Sequence, residues 1–254
     1  TPQKNRINYQ KELEKLLASL EAERISGNGK KKRLLLHACC APCSSYVLEY
    51  LREKFEITVL YYNPNITERE EYEKRSAELK RLARQMNQES AGAGQPEKGS
   101  VPTEPTALPS GFILVEEGEW EPQRFFEVSK GLESLPEGGE RCFRCYELRL
   151  RETARIAAER GFDYFTTTLT ISPLKNAEKL NEIGALMAEE YGVAFLPSDF
   201  KKKNGYKRSV ELSEKYGLYR QDYCGCIFSR AERDRRKADG QPTDAVTVLR
   251  KAEL

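Results

Sequence analysis

Short apolar runs alternate along this chain with longer segments that favour helices. The runs are apolar, or rich in β-branched and aromatic residues, as buried strands are: 34–37, 57–62, 112–116, 163–169 and 193–196. The segments predicted to be helical are 8–24, 44–54, 67–86, 141–160 and 175–191. Because strands and helices alternate, the pattern predicts an α/β three-layer sandwich, with a parallel sheet between two layers of helices.

The same pattern divides the chain into three parts. Residues 1–32 predict an N-terminal helical extension, residues 33–230 a single α/β domain, and residues 231–254 a polar C-terminal tail. Within the domain, residues 87–111 are rich in Gly, Pro, Ser and Glu and offer too little apolar surface to order themselves. We therefore expect a mobile insertion at that place.

Composition and charge narrow the class of protein only slightly. The 42 basic and 40 acidic side chains among 254 residues leave a net charge of +2, so overall charge favours no class of partner. No run approaches the roughly 20 apolar residues of a membrane span, and residues 1–33 lack the apolar segment of an export signal. We therefore expect a cytoplasmic protein without membrane contact, where cysteines more often serve as ligands or catalysts than as disulfides.

Seven cysteines form three groups: Cys39, Cys40 and Cys43; Cys142 and Cys145; Cys224 and Cys226. The first group follows the first predicted strand, and parallel sheets bind ligands at that end of their strands. The middle pair is spaced three residues apart in a predicted helix, which places both thiols on one face. Gly225 allows the sharp turn that the third pair needs. The groups therefore predict a metal or cluster site.

The spacing of the cysteines does not choose the metal. Thiolates bind zinc, copper(I) and iron–sulfur clusters. A zinc site built from the first and second groups would leave three of the seven cysteines unexplained. Four cluster ligands together with a second metal or a redox-active dithiol would use all seven. Zinc and iron–sulfur interpretations both stay open at this point.

No glycine-rich phosphate loop follows the first predicted strand. The residues there read ACCAPCSS, and the chain contains neither a dinucleotide fingerprint, nor a P-loop, nor the loop of ATP-pyrophosphatases. This absence disfavours chemistry that consumes ATP or a nicotinamide cofactor.

Two features outside the cysteines carry candidate functions. His37, the only histidine, ends the first predicted strand, where it either makes a structural hydrogen bond or supplies a proton. A basic segment surrounds Tyr206, and it is either a solvated loop or a contact for a phosphate backbone. Its cations are Lys201, Lys202, Lys203, Lys207 and Arg208.

Five motifs, in order, resemble those of QueH-type epoxyqueuosine reductases. They are HACCAPCSSYVLEYL, YYNPNI, RCFRCYELRL, TTTLTISPLKN and YRQDYCGC, and the match extends from residue 33 to 230. The resemblance implies a fold similar to the nucleotide-hydrolase-like, ATP-pyrophosphatase-related sandwiches. It also implies a cobalamin-independent oxidoreductase that deoxygenates epoxyqueuosine to queuosine at the wobble position of tRNA, the last step of queuosine biosynthesis.

The resemblance further implies a 4Fe–4S cluster, an additional iron ion in some members, and an external electron donor. The cysteines that match cluster ligands are Cys39, Cys40, Cys142 and Cys145, and Cys224 and Cys226 match a redox-active disulfide pair. In the alternative, Cys40, Cys43 and one of the last pair, such as Cys226, hold a second iron, and the other four cysteines hold the cluster. Some members carry an aspartate where Cys43 stands, which favours a metal role there.

The implied reaction also needs protons and a platform for the wobble base. Protons would come from His37, Asp222 or Tyr223, and the base would stack on Tyr61, Tyr62 or Tyr223. Two competing interpretations use the same cysteines. One is an iron–sulfur tRNA thiolase, which the missing phosphate loop disfavours; the other is a zinc-stapled RNA-binding module without redox chemistry.

Overall fold

The computed structural model describes residues 7–27, 29–91 and 109–241. Its single sheet contains β1 (Lys32–His37), β2 (Phe55–Tyr61), β3 (Ile113–Glu117), β4 (Tyr164–Thr167) and β5 (Ala194–Phe195). The strand order is β3-β2-β1-β4-β5, and every pairing is parallel. The sheet and its flanking helices confirm the predicted α/β three-layer sandwich.

The helices occupy the segments between and after the strands. They are α1 (Tyr9–Ser26), α2 (Ala41–Leu51), α3 (Arg69–Ala91), α4 (Pro122–Ser129), α5 (Glu140–Glu159), α6 (Ala177–Tyr191), α7 (Gly205–Lys215) and α8 (Ile227–Ala238). A short 3-10 helix, Thr168–Ile171, follows β4 directly.

The central strand β1 separates two hydrophobic cores. Leu34 and Leu36 face one core, which contains residues of α1, α2, α3 and α7. Leu35 faces the other core, which contains residues of α5 and α6. Because both of its faces are buried, β1 is a continuous apolar run rather than an alternating one.

Helix α1 belongs to this main core. Leu13 and Leu17 are buried among residues of the first core, and β1 already begins at Lys32. The described part of the predicted extension 1–32 is therefore packed on the α/β domain. Residues 1–6 and residue 28 lie outside the described residues.

Two helix boundaries differ from the prediction. Helix α2 begins at Ala41 rather than at 44, because Pro42 suits a first turn, where its missing N–H costs nothing. Helix α3 continues to Ala91, so 87–91 are helical rather than part of a mobile insertion. The side chain of Asn87 pairs with both the N–H and the C=O of Ile113, each at 2.9 Å, and ties α3 to β3. Residues 92–108 lie outside the described residues.

Helices α4, α7 and α8 were not predicted. Their sequences are short or strongly charged, and α8 has Ser229 as its only buried residue. Helix α8 also crosses the predicted boundary between 230 and 231, so the tail begins in the middle of a helix. Residues 242–254 of that tail lie outside the described residues.

Gly205, at the start of α7, lies so close to other parts of the chain that it leaves no room for a side chain. A Cβ at this position would overlap the carbonyl oxygen of Phe200 and lie 2.6 Å from the ring of Tyr46. We predict that Gly205→Ala lowers the free energy of unfolding by about 1–3 kcal/mol, as overpacking does. Urea unfolding measures the change, and Glu214→Ala on the exposed face of the same helix is the control. Equal stability of the two variants would contradict the prediction.

Candidate active site

All seven cysteines lie at the carboxyl edge of the sheet or in the segments that border it. The first group follows β1 and starts α2, the second lies in the first turns of α5, and the third precedes and caps α8. Every one of them is a free thiol in the structure. The parallel topology therefore brings together three groups that are far apart in sequence.

Cys39, Cys40 and Cys43 form a compact trio. Their sulfur atoms all lie within 4.8 Å of one another, and Cys39 Sγ is 3.7 Å from Cys40 Sγ. Cys40 has an extended backbone and is the N-cap of α2. Because α2 begins at once, its first turn returns Cys43 to the two preceding thiols.

The trio shares its protons unequally. Hydrogen bonds from the thiols of Cys40 and Cys43 lower the pKa of Cys39 well below its ordinary value. The hydrogen bond to Cys39 raises the pKa of Cys40 to about 12, and Cys43 is raised well above its ordinary value by the same two neighbours. Cys39 is therefore the member of the trio that loses its proton most readily, and a metal that binds all three thiols must displace protons from the others.

The other four cysteines line a second cleft together with Arg149. The Gly138 N–H donates to Cys142 Sγ at 3.2 Å, and the Ser229 N–H donates to Cys226 Sγ at 3.4 Å. Cys145 and Cys226 pack in one small apolar cluster with Phe125. Burial raises the pKa of Cys145 to about 11 and that of Cys226 to about 12.

Cys224 connects the two groups, because it lines both this cleft and an open cleft bordered by Cys39 and Cys43. The buried ammonium of Lys175 donates to Cys224 Sγ at 3.3 Å. Arg75 donates to the carbonyl of Cys224 at 3.0 Å. Gly225 has a φ of +117°, and a Cβ there would lie 2.7 Å from Ile66 Cγ1, so this turn requires glycine.

His37 is held by hydrogen bonds within the fold. Its side chain is fully buried, with Nδ1 2.9 Å from Thr167 Oγ1 and Nε2 3.1 Å from the carbonyl oxygen of Tyr62. Burial lowers the pKa of His37 to about 3. Both ring nitrogens are engaged, which favours the structural alternative for this residue.

The other predicted proton donors and base platforms fare differently. Tyr61 and Tyr62 are buried in the two cores, so the prediction that a base stacks on them is wrong. Burial alone would raise the pKa of Asp222, but hydrogen bonds from Lys237 and Arg233 outweigh burial and lower it. Asp222 is therefore ionised. Tyr223 lines the open cleft, and its ring already lies under the guanidinium group of Arg233 at 4.7 Å.

The basic segment 201–208 lies before and within the first turn of α7, and most of its charge is paired. Lys201 pairs with Asp199 at 2.6 Å, Lys203 with Glu14 at 2.5 Å, and Arg208 with Glu49 at 2.7 Å. Lys202 and Lys207 are exposed. Tyr206 reaches the open cleft.

Sequence reasoning offered the arginines of RCFRCYELRLR, Arg149 among them, only as additions to the basic segment, and it placed no cation beside the cysteines. Arg75, Arg149, Lys175, Arg220 and Arg236 line the open cleft. Arg149 lies in the RCFRCYELRL motif and Lys175 in TTTLTISPLKN, so the motifs themselves contained the signal. Arg236 lies on α8, in a segment that was predicted to be a polar tail.

The fold and the site together define an α/β protein with a thiolate-rich edge suited to a soft metal. A family model described as Epoxyqueuosine reductase QueH matches residues 34–232. A protein of that name from Staphylococcus epidermidis is 38% identical over 226 residues, which cover 88% of this chain and 85% of the relative. Another, from Thermotoga maritima, is 34% identical over 209 residues, 81% of this chain and 94% of the relative. The chain belongs to the epoxyqueuosine reductase QueH family, a family of oxidoreductases.

Within residues 7–27, 29–91 and 109–241, no helix has the length and apolar character needed to cross a bilayer.

We predict that His37→Gln retains turnover. Gln can replace the buried hydrogen bond to the Tyr62 carbonyl, and we expect His37 to supply no proton to the reaction. Loss of a general acid costs about 10²–10⁴-fold in rate. Steady-state turnover of the metal-loaded variant measures the effect. A loss of that size in a folded variant with normal metal content would restore His37 as a proton donor.

Proposed function

We propose that this chain reduces the epoxyqueuosine of tRNA to queuosine, the last step of queuosine biosynthesis. The observation that carries the proposal is the convergence of seven thiols at one sheet edge, in a member of this family. Removal of the epoxide oxygen breaks two C–O bonds, forms a C=C bond and releases water. The reaction consumes two electrons and two protons, so an external electron donor must supply the protein.

The donor set fits an iron–sulfur centre. Within the described residues, the one group of three or more side chains close enough together to hold a metal ion is the cysteine trio. All seven cysteines are free thiols. Thiolates are the ligands of 4Fe–4S clusters, and such a cluster supplies one electron at a time when it is bound. An additional iron ion beside it, or a dithiol, would complete the two-electron requirement.

We assign the cluster to Cys39, Cys142, Cys145 and Cys224. Cys142, Cys145 and Cys224 line the second cleft together, and Cys39 borders the open cleft that reaches the same Cys224. Cys40 and Cys43, the other two members of the trio, would then bind an additional iron, as they do in the alternative partition of the sequence analysis. Cys226 packs against Cys145, so contact alone does not attach it to Cys40 and Cys43.

Lys175 gives the floor of the open cleft a fixed positive charge. Burial disfavours that charge, but the neighbouring Cys224 and Tyr146 outweigh burial and raise the pKa of Lys175 well above its ordinary value. A charged ammonium at this place attracts an anionic group, such as an oxygen that gains charge as a C–O bond breaks.

The tRNA backbone has cations available at the rim of the open cleft. Arg220 and Arg236 are exposed and line it, whereas most of the segment 201–208 is ion-paired. We propose that phosphates contact this rim, and that Lys202 and Lys207 extend the contact. Because phosphate contacts release counterions, binding through this rim depends on salt.

The test of the proposed function is anaerobic purification followed by iron and sulfide analysis and a turnover assay with tRNA that carries epoxyqueuosine. We predict a brown protein that bleaches with dithionite and releases water from the epoxide without ATP. A colourless protein that contains only zinc, or turnover that requires ATP, would contradict the proposal.

The ligand assignment is tested by a series of serine variants. We predict that Cys145→Ser and Cys224→Ser lose the visible absorption and turnover, because each removes a cluster ligand. Cys226→Ser is the matched control and should keep the absorption. If Cys224→Ser keeps the cluster and Cys40→Ser loses it, the first partition, with Cys224 and Cys226 as a redox pair, replaces our assignment.

The RNA contact is tested by a pair of charge-removing variants. We predict that Arg220→Ala/Arg236→Ala weakens binding of substrate tRNA and reduces the slope of log K against log salt by about 1–2. Lys54→Ala/Arg84→Ala removes two exposed cations elsewhere and is the control. If only Lys202→Ala/Lys207→Ala weakens binding, the contact lies on the segment 201–208 instead.

A further inference from the structure

Three arginines rank among the largest fully buried side chains of the structure: Arg75, Arg141 and Arg149. A buried guanidinium is stable only when its N–H groups have partners, because an unpaired buried charge is strongly unfavourable. The three arginines differ in how the protein meets this requirement.

Two of these arginines are satisfied by the protein itself. Arg75 donates to the carboxylate of Glu71 and to two backbone carbonyls of the loop before α8. Arg141 donates to three backbone carbonyls of residues 132–135 and to the carboxylate of Glu232. Both side chains therefore hold loops together.

Arg149 is different, because most of its donors are unused. Its Nε donates to the carbonyl of Cys145 at 3.2 Å. Neither Nη1 nor Nη2 has a hydrogen-bond partner within the part of the chain that the structure describes, and the residue is 1% exposed. An unpaired buried donor is unfavourable, and more so when it is charged. The two terminal nitrogens are therefore available to a group other than the described residues.

The surroundings of Arg149 define the chemistry of that group. Among the described residues, Arg149 is the only arginine that lines both clefts together with Cys224. Cys145 lines the second cleft beside it, and Cys39 borders the open cleft. The free donors thus lie among sulfur ligands, and the partner that they fit is a sulfur-bearing anion.

We propose that Arg149 is a positioning residue of the iron–sulfur centre, whose two terminal nitrogens donate hydrogen bonds to the sulfur atoms held between Cys39, Cys145 and Cys224. This inference rests on the proposed function, because it requires that cofactor. A guanidinium keeps its charge at every accessible pH. Hydrogen bonds to cluster sulfurs and nearby positive charge favour the reduced form, so Arg149 raises the reduction potential of the centre.

The first experiment measures the midpoint potential of the reconstituted protein and its variants. Arg149→Lys keeps a positive charge but loses the two-nitrogen fork, and Arg149→Gln loses both. For Arg149→Gln we expect the ratio of reduced to oxidised centre at a fixed potential to fall about tenfold. This corresponds to a midpoint potential lowered by about 59 mV for a one-electron couple. Arg149→Lys should show a smaller shift in the same direction.

The matched control is Arg52→Gln. Arg52 is also buried, but it caps α2 at the end opposite Cys43, where it donates to the carbonyl of Met86. The Arg52→Gln variant should have a lower free energy of unfolding and an unchanged midpoint potential. If Arg149→Gln has the potential of the wild type and a full complement of iron, the inference is overturned, while the proposed function stands.

A second experiment detects the proposed contact directly in the wild-type protein. Protein labelled with 15N-arginine is reduced, and pulsed electron paramagnetic resonance detects any arginine nitrogen coupled to the cluster. A coupling that disappears in Arg149→Lys supports the inference, and absence of the coupling from the wild type, or its survival in Arg149→Lys, overturns it. If the wild type itself binds no iron–sulfur centre after reconstitution, the proposed cofactor fails, and the role of Arg149 fails with it.

Discussion

The carboxyl edge of a fully parallel sheet is the constraint on which the site depends. β1 lies at the centre of the sheet and is buried on both faces, so the residues after His37 cannot leave that edge except over the ends of the neighbouring strands. Helix α2 starts immediately after Cys40, and its first turn gathers the trio. A parallel sheet places every strand end on the same side, so the other cysteine groups meet the trio there.

Two cations, Arg75 and Lys175, contact the cysteines of this edge. Arg75 joins α3 to the loop that carries Cys224, and Lys175 contacts the Cys224 sulfur from the segment after the 3-10 helix. Charges interact strongly in a region from which water is largely excluded. The negative charge that the site collects when its thiols bind a metal is thereby matched by positive charge from two different segments.

The two clefts suit different parts of the proposed function, which are cofactor binding and substrate access. The deep cleft contains Cys142, Cys145, Cys224 and Cys226 and has little room beyond its sulfur atoms. The open cleft reaches the same Cys224 from the surface and is bordered by exposed arginines. A wobble base that leaves the anticodon stack could therefore approach the centre while phosphates remain on the rim, which suits a substrate much larger than its reacting group.

Local pattern was sufficient for the sheet, for the order of its elements and for the recognition that the cysteines form three chemical groups. Apolar runs and helical spacing are properties of neighbouring residues, and they act before any long-range contact forms. The helices α7 and α8, which are short and strongly charged, became evident only in the tertiary structure. The burial of His37, Tyr61 and Tyr62 also depended on tertiary packing. Which cysteine group lies beside which follows from contacts between residues more than 70 positions apart in the chain, and such contacts leave no signal in local spacing. The two free donors of Arg149 likewise depend on what the fold places around them.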